Sequence, residues 1–281
     1  MSQVIKLSLI TETVRDLCLK TNYELGEDII TALQRAREAE DLPRAREVLD
    51  CLIQNAVVAK EESLPICQDT GIVVVFIEIG QEIILAGGNL EEAINEGVRR
   101  GYKDGFLRAS VVNDPLRRIN TGDNTPAVIH SKIVTGNRLN ITLMAKGSGS
   151  ENMSALKMFK PADGWPGARR FIIEHIKEAA PYCCPPLIVG VGLGGTFEQV
   201  ALLAKRSLLR EVGRAAEDEI IAARERELLE AINDLNIGPG GLGGKTTALS
   251  VNIETAPCHI AGMPVAVNVG CYAHRHRSAV L

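Results

Sequence analysis

The chain has 281 residues, 46% hydrophobic and 23% charged, an ordinary globular composition with length for a sizeable core in one large domain or two small ones. A net charge of −4 and only 4% aromatic residues exclude the basic excess and the stacking platforms that nucleic-acid binding uses. No apolar run approaches the roughly 20 residues of a membrane helix, and the Thr11-Glu12-Thr13 break interrupts any secretory apolar region, so a cytoplasmic protein is expected.

Residues 1–62 are predicted to be helical. Ile30, Leu33, Ala36 and Ala39 follow helical spacing, and Pro43 suits the first turn of a further helix. After a turn at 64–71, the β-branched run 72–79 reads as a buried strand. Residues 89–100 read as a helix with Asn89 as its N-cap. Segments 127–134 and 138–145 alternate on either side of Thr135-Gly136-Asn137, a hairpin signal. A glycine–serine loop at 146–152 leads to a helix at 167–179 and a strand at 187–191. Helices at 196–209 and 215–235, a flexible glycine loop at 238–244, and strands at 249–253 and 265–269 complete the pattern. Helices and strands mix without strict alternation. The expectation is a single α+β domain over 1–281, a mixed sheet with flanking helices and a helical amino-terminal part.

Seven cysteines in a cytoplasmic chain are not read as a disulfide framework. Cys18 and Cys51 lie in amphipathic helical patterns and are expected to be small buried hydrophobes. Cys67, Cys183, Cys184, Cys258 and Cys271 lie instead beside proline or glycine. Cys67 and Cys184 each precede a predicted strand and Cys271 follows one, so the three can meet at one sheet edge. Their wide spacing excludes a local zinc-knuckle or ferredoxin pattern. Three thiolates on a cubane cluster leave one iron open to act as a Lewis acid. Packed structural cysteines are the plain alternative.

The motifs PICQDTG, CCPPLIVGVGLGG and APCHIAGMPVAVNVGC resemble class I (iron–sulfur) fumarate hydratases and their L-tartrate dehydratase relatives, and the likeness runs through nearly the whole chain. It matches the α subunit of the two-subunit form. The resemblance implies a 4Fe–4S cluster held by Cys67, Cys184 and Cys271, with one iron not ligated by protein. Cys184 is chosen over Cys183 because the family's ligand directly precedes the two prolines; Cys183 and Cys258 are then non-ligands.

The resemblance further implies catalytic roles for Asp69 and His259, and substrate contacts by Gln68, Arg108, Gly147 and Gly149. The plain reading of Asp69 is an Asx-turn onto the amide of Gly71. Arg108 offers the forked donors a carboxylate takes, and the amides of the loop after Lys146 can form an anion nest. His130, His175, His274 and His276 are read as surface or interface residues. Gly190-Val191-Gly192-Leu193-Gly194-Gly195 matches a dinucleotide fingerprint, but the expected second strand ending in an acid is missing, since Glu211 falls in a helical stretch. Close backbone approach next to the cluster accounts for these glycines better.

The implied activity is reversible dehydration of a 2-hydroxy dicarboxylate. Malate to fumarate, a tricarboxylic acid cycle reaction, is preferred over L-tartrate as the alternative. A non-catalytic iron–sulfur redox or sensing protein is the rival from another class. No second arginine–lysine cluster is found in the chain, and the nearness of the Cys271 motif to Leu281 leads to the expectation that a partner surface covers this end. The resemblance therefore implies a β subunit that completes the site, in an αβ dimer of dimers.

Overall fold

The computed structural model describes residues 3–281, so the first two residues of the region expected to be helical lie outside it. In chain order the elements are β1 (Gln3–Lys6), α1 (Leu7–Tyr23), α2 (Glu27–Ala39), α3 (Pro43–Glu62), β2 (Ile72–Gly80), β3 (Ile83–Ala86), α4 (Leu90–Asp104), β4 (Val128–Val134) and β5 (Leu139–Lys146). There follow α5 (Ser148–Glu151), β6 (Ala155–Phe159), α6 (Gly164–Ala179), β7 (Leu187–Gly194), α7 (Phe197–Ser207), α8 (Glu219–Asn233), β8 (Ala248–Ala256), β9 (Met263–Gly270) and β10 (His276–Val280). The fold is α+β with mixed sheets. Among the described residues no helix is long and apolar enough to cross a membrane.

The elements form two compact units. The first takes the chain up to Leu25, Ala56–Ser148 and Arg275–Leu281; the second takes Gly26–Asn55 and Gly149–His274.

In the first unit a four-stranded sheet has the order β10-β5-β2-β4. Alternate residues of β2, Val73, Val75 and Ile77, face one side, because side chains alternate along a strand. There they join Ile10, Val14 and Leu17 of α1 and Ile94 and Val98 of α4 in one buried cluster. Each fully buried side chain of this kind contributes roughly 1.5–3 kcal/mol. Asn89 caps α4 as expected, its side chain accepting the amide of Glu92 at 3.0 Å. β1 and β3 pair in parallel as a separate ribbon. The stretch before Leu7 is thus a strand, not helix, since its partner lies far along the chain where local periodicity cannot register it.

The expected hairpin is a second correction. β4 and β5 form where the alternation placed them, but they do not pair: β2 lies between, parallel to β4 and antiparallel to β5. The connection after Val134 crosses over the end of β2, held by Gly80 N–H to Arg138 O (2.9 Å) and Gln81 N–H to Val134 O (2.8 Å). A Cβ on Gly80 would stand 2.4 Å from the carbonyl oxygen of Gly136, so only glycine lets the crossing pass this close. A turn motif specifies a reversal of direction, not which strand is the neighbour.

In the second unit the sheet order is β6-β9-β7-β8, with β7 parallel to β8 and antiparallel to β9. One face packs against α6 and α8, where Ile172, Ile176, Leu228 and Ile232 meet Val189, Val191, Val267 and Val269. The other carries α7. The glycine motif does not follow a strand, as the fingerprint requires; Gly190, Gly192 and Gly194 lie inside β7. What approaches the first two is α7: a Cβ on Gly190 would stand 2.2 Å from the Ala204 carbonyl oxygen, and one on Gly192 2.3 Å from that of Val200, while Gly194 lies against Ala256 of β8. Segment 238–244, expected to be a flexible loop, contains a 3-10 turn at Pro239–Gly241 and is closed by Gly243 N–H to Ile237 O (2.8 Å).

Candidate functional site

In the first unit the turn Cys67-Gln68-Asp69-Thr70-Gly71 runs into β2, and the end of β5 lies beside it, since Ile72 pairs with Lys146. β10 enters at the same sheet end, with His276 opposite Met144. The backbone of the turn is fixed by hydrogen bonds from side chains. Asp69 makes the Asx-turn with Gly71 N–H (3.0 Å), and its second oxygen accepts Ser148 N–H (2.7 Å). Tyr102 donates its hydroxyl to the carbonyls of Thr70 (2.7 Å) and Gly71 (3.1 Å), and burial pushes the phenol up from its ordinary range. Asn124 donates to Gly71 O (3.2 Å).

With the backbone held, the side chains of Cys67 and Gln68 are left accessible. Cys67 is half-buried, its thiol 3.4 Å from the Gln68 Oε1, and Gln68 is exposed. Arg108 is exposed too, and its carbonyl accepts the Thr70 hydroxyl at 2.9 Å, so the loop carrying it is tied to the turn. Gly147 packs against the Asp69 carboxylate.

Residues that sequence reasoning missed do this holding. Arg275, only 3% exposed, donates to Asp69 O (2.5 Å) and to Asn22 Oδ1 (3.3 Å). Its only signal in the sequence is the His274-Arg275-His276-Arg277 run. Tyr102 and Asn124 had no local signal, since their partners lie far away in sequence.

In the second unit, Ile188 near the start of β7 lies opposite Gly270 at the end of β9, which puts Cys184 and Cys271 at one end of the sheet. The Tyr272 amide reaches Cys184 O at 3.4 Å. Cys183 is buried and Cys184 exposed. Cys184 has φ +51°, a left-handed conformation that costs a non-glycine residue about 1–2 kcal/mol and turns its side chain out of the core. Gly149, exposed in α5, belongs to the same end, because β6 begins with Ala155 opposite Val267.

His259 does not join them. It sits in the loop before β9, and the eight residues of β9 separate that loop from Cys271 by about 25 Å of extended chain. His259 is exposed, and its Nδ1 accepts the Ala261 amide at 3.1 Å.

The other expectations divide. Cys18 is fully buried, and desolvation pushes its thiol up, away from the ligating thiolate form. Cys51 is exposed on α3, contrary to expectation, because it faces away from the helix's apolar side. Cys258 is exposed, with its thiol 3.3 Å from Gly262 O. His274 is buried rather than on the surface: its Nε2 lies 2.8 Å from Leu208 O and its ring packs against Gly270, which braces the segment after Cys271. His130 stacks on Phe76, and His175 Nε2 meets Met153 O at 2.8 Å, both half-buried.

Within either unit, among the described residues, no three His, Cys, Asp or Glu side chains gather closely enough to hold a metal ion. Cys67, in the first unit, and Cys184 and Cys271, in the second, each lie at a strand end with a thiol that is not fully buried, the donor type that iron–sulfur clusters take.

The chain matches the fumarate hydratase (Fumerase) family over residues 11–280. It belongs to that family. Members of the fumarate hydratase family are hydro-lyases. Relatives extend the match over almost the full length. A Methanocaldococcus jannaschii protein provisionally named L(+)-tartrate dehydratase subunit alpha is 42% identical over 272 residues, 95% of each chain. The L(+)-tartrate dehydratase subunit alpha of Escherichia coli strain K12 and that of Shigella sonnei are each 30% identical over 270 residues, covering 95% of this chain and 88% of theirs.

Proposed function

We propose that this chain is the α subunit of a two-subunit hydro-lyase that dehydrates a 2-hydroxy dicarboxylate, with L-tartrate as substrate. The end-to-end match to proteins named L(+)-tartrate dehydratase subunit alpha carries this reading. It displaces malate, which the motifs alone had favoured. The same names support a β subunit that completes the site.

Cys67, Cys184 and Cys271 would hold a 4Fe–4S cluster. When bound, it supplies an open iron that makes the substrate hydroxyl a better leaving group. Support for this ligand set comes from the strand ends they occupy.

The chain's own residues then bind and orient the diacid. Gln68 projects from the turn and Arg108 from the loop tied to it through Thr70, and both are exposed, so they can meet a carboxylate without disturbing the fold. Gly147 and Gly149 flank the Asp69-bound Ser148 amide, and without side chains they let a carboxylate approach this loop closely. Asp69 keeps the first loop in register and places a carboxylate beside the substrate for proton handling. Water is removed as hydroxide from one carbon and a proton from its neighbour. That proton is weakly acidic, so cations beyond Arg108 must neutralise the adjacent carboxylate, and these are assigned to the β subunit. His259 is given no part beside Cys184 and Cys271, from which β9 separates it.

The test is anaerobic reconstitution of the chain with its β subunit, followed by parallel assays on L-tartrate and malate. A kcat/KM at least tenfold higher for L-tartrate is expected. A preference for malate would return the assignment to a fumarate hydratase. Full turnover by the α chain alone would end the split-site reading.

A further inference from the structure

β4 is an edge strand: among the described residues its only strand neighbour is β2. Its sequence, Val128-Ile129-His130-Ser131-Lys132-Ile133-Val134, reads Val-Ile-x-Ser-x-Ile-Val in both directions about Ser131. An antiparallel pair of identical strands related by a two-fold axis at Ser131 would set Val128 against Val134, Ile129 against Ile133 and Ser131 against itself.

The faces agree with this. Ile129 and Ile133 stand beside Val75 and Ile79 in the ladder, on the side of the sheet that carries the core. Ile129 is packed against that core, but Ile133 is 75% exposed, an apolar side chain on the core side with nothing over it. In the two-fold pairing each Ile133 lies directly across from the Ile129 of the other copy. Lys132, the kind of charge that keeps edge strands apart, points to the opposite face and sits beside Glu78 in the ladder, which offsets it.

We infer that β4 is a self-association edge, and that a second copy of this chain pairs with it antiparallel, centred on Ser131, to make one continuous eight-stranded sheet. A seven-residue strand buries less than the ~1,200 Å² of a standard interface, so this contact by itself is reversible and concentration-dependent. The inference is independent of the substrate assignment.

The test is disulfide trapping in the full-length chain, alone and with its β subunit. Ser131→Cys, treated with copper phenanthroline and air as oxidant, is expected to give a 131–131 bond located by peptide mass spectrometry, because directly opposed Cα atoms lie about 4.5–5.5 Å apart. Val128→Cys, whose opposite is Val134, should give no self-bond. Ile133→Lys alters an already exposed position and leaves the fold intact by circular dichroism. It should raise the dimer dissociation constant by tenfold or more, since the change enters the contact twice. A chain that stays monomeric at all concentrations without a 131–131 bond would overturn the inference, as would a residue 131 that cross-links only to the β subunit. So would an assembly that Ile133→Lys leaves unchanged.

Discussion

Asp69 and Ser148 are joined at 2.7 Å by one carboxylate oxygen, while the other oxygen holds the turn closed on Gly71 at 3.0 Å. One side chain therefore ties the segment after Cys67 to the loop that leaves β5.

Asp69→Asn keeps the size but replaces one acceptor oxygen with a donor, so it cannot take both amides. A stability loss of about 1–3 kcal/mol is expected in urea unfolding of the chain. In the reconstituted enzyme kcat should fall by about 10²-fold or more, with a smaller change in KM. A normal kcat in a folded Asp69→Asn protein would remove Asp69 from the chemistry and leave it a brace only.

The cysteines separate into two groups. Serine at Cys67, Cys184 or Cys271 is expected to abolish retention of iron and sulfide after anaerobic reconstitution, together with activity. Serine at Cys51 or Cys258, both exposed, should leave iron content within error. Cys183→Ser places a hydroxyl in a buried site and should lower thermal stability while the cluster still assembles. Equal iron loss from Cys184→Ser and Cys258→Ser would contradict the ligand assignment.

The seam between β7 and α7 has no room for a methyl group. Gly192→Ala would bring a Cβ to 2.3 Å from the carbonyl oxygen of Val200, so α7 must shift. A loss of roughly 1–3 kcal/mol is expected from the denaturation midpoint. Gly149→Ala, where nothing lies within 4 Å of the added Cβ, is the matched control and should change stability little.

Arg99 gathers Glu92, Glu96 and Asp123 at the surface of the first unit. Hydrogen bonds from Arg100 and then Arg99 hold the Glu96 carboxyl below its usual 4.5. Burial pushes the Asp123 carboxyl up, but bonds from Thr125 and Arg99 outweigh it and keep the group below 3.8. Both acids thus titrate lower in the folded state than unfolded. Their contribution is fully present above about pH 4.5 and is lost as pH falls through the depressed folded values. The Tm difference between the native chain and Arg99→Met should be a few degrees at pH 7, shrink below pH 4.5, and diminish in high salt. A difference that grows on acidification would show that the network acts otherwise.

Much of the fold was legible in local pattern. The β-branched run of β2, the Asn89 cap and the helical periods of α1 to α4 and α6 to α8 are properties of a few consecutive residues, and the structure returns them. So is the Asp69 turn, which needs only a carboxylate two residues before an amide. Strand pairing was not legible. β1, β3, β6 and β10 are short, and each gains its ladder bonds from a partner distant in sequence. The hairpin failed for the same reason: alternation marks a strand, but the strand that satisfies its backbone is chosen by competition across the whole sheet.

The sequence by itself determined the family, because its long ordered motifs leave few alternatives, and through that likeness it singled out the thiols proposed as ligands. Only the tertiary structure decided which side chains are free to act. It buried Cys183 and turned out Cys184, it moved His259 to the far end of β9 from Cys271, and it revealed Arg275 as the anchor of Asp69. Each of these follows from strand register and packing, which long-range contacts fix and local composition does not encode.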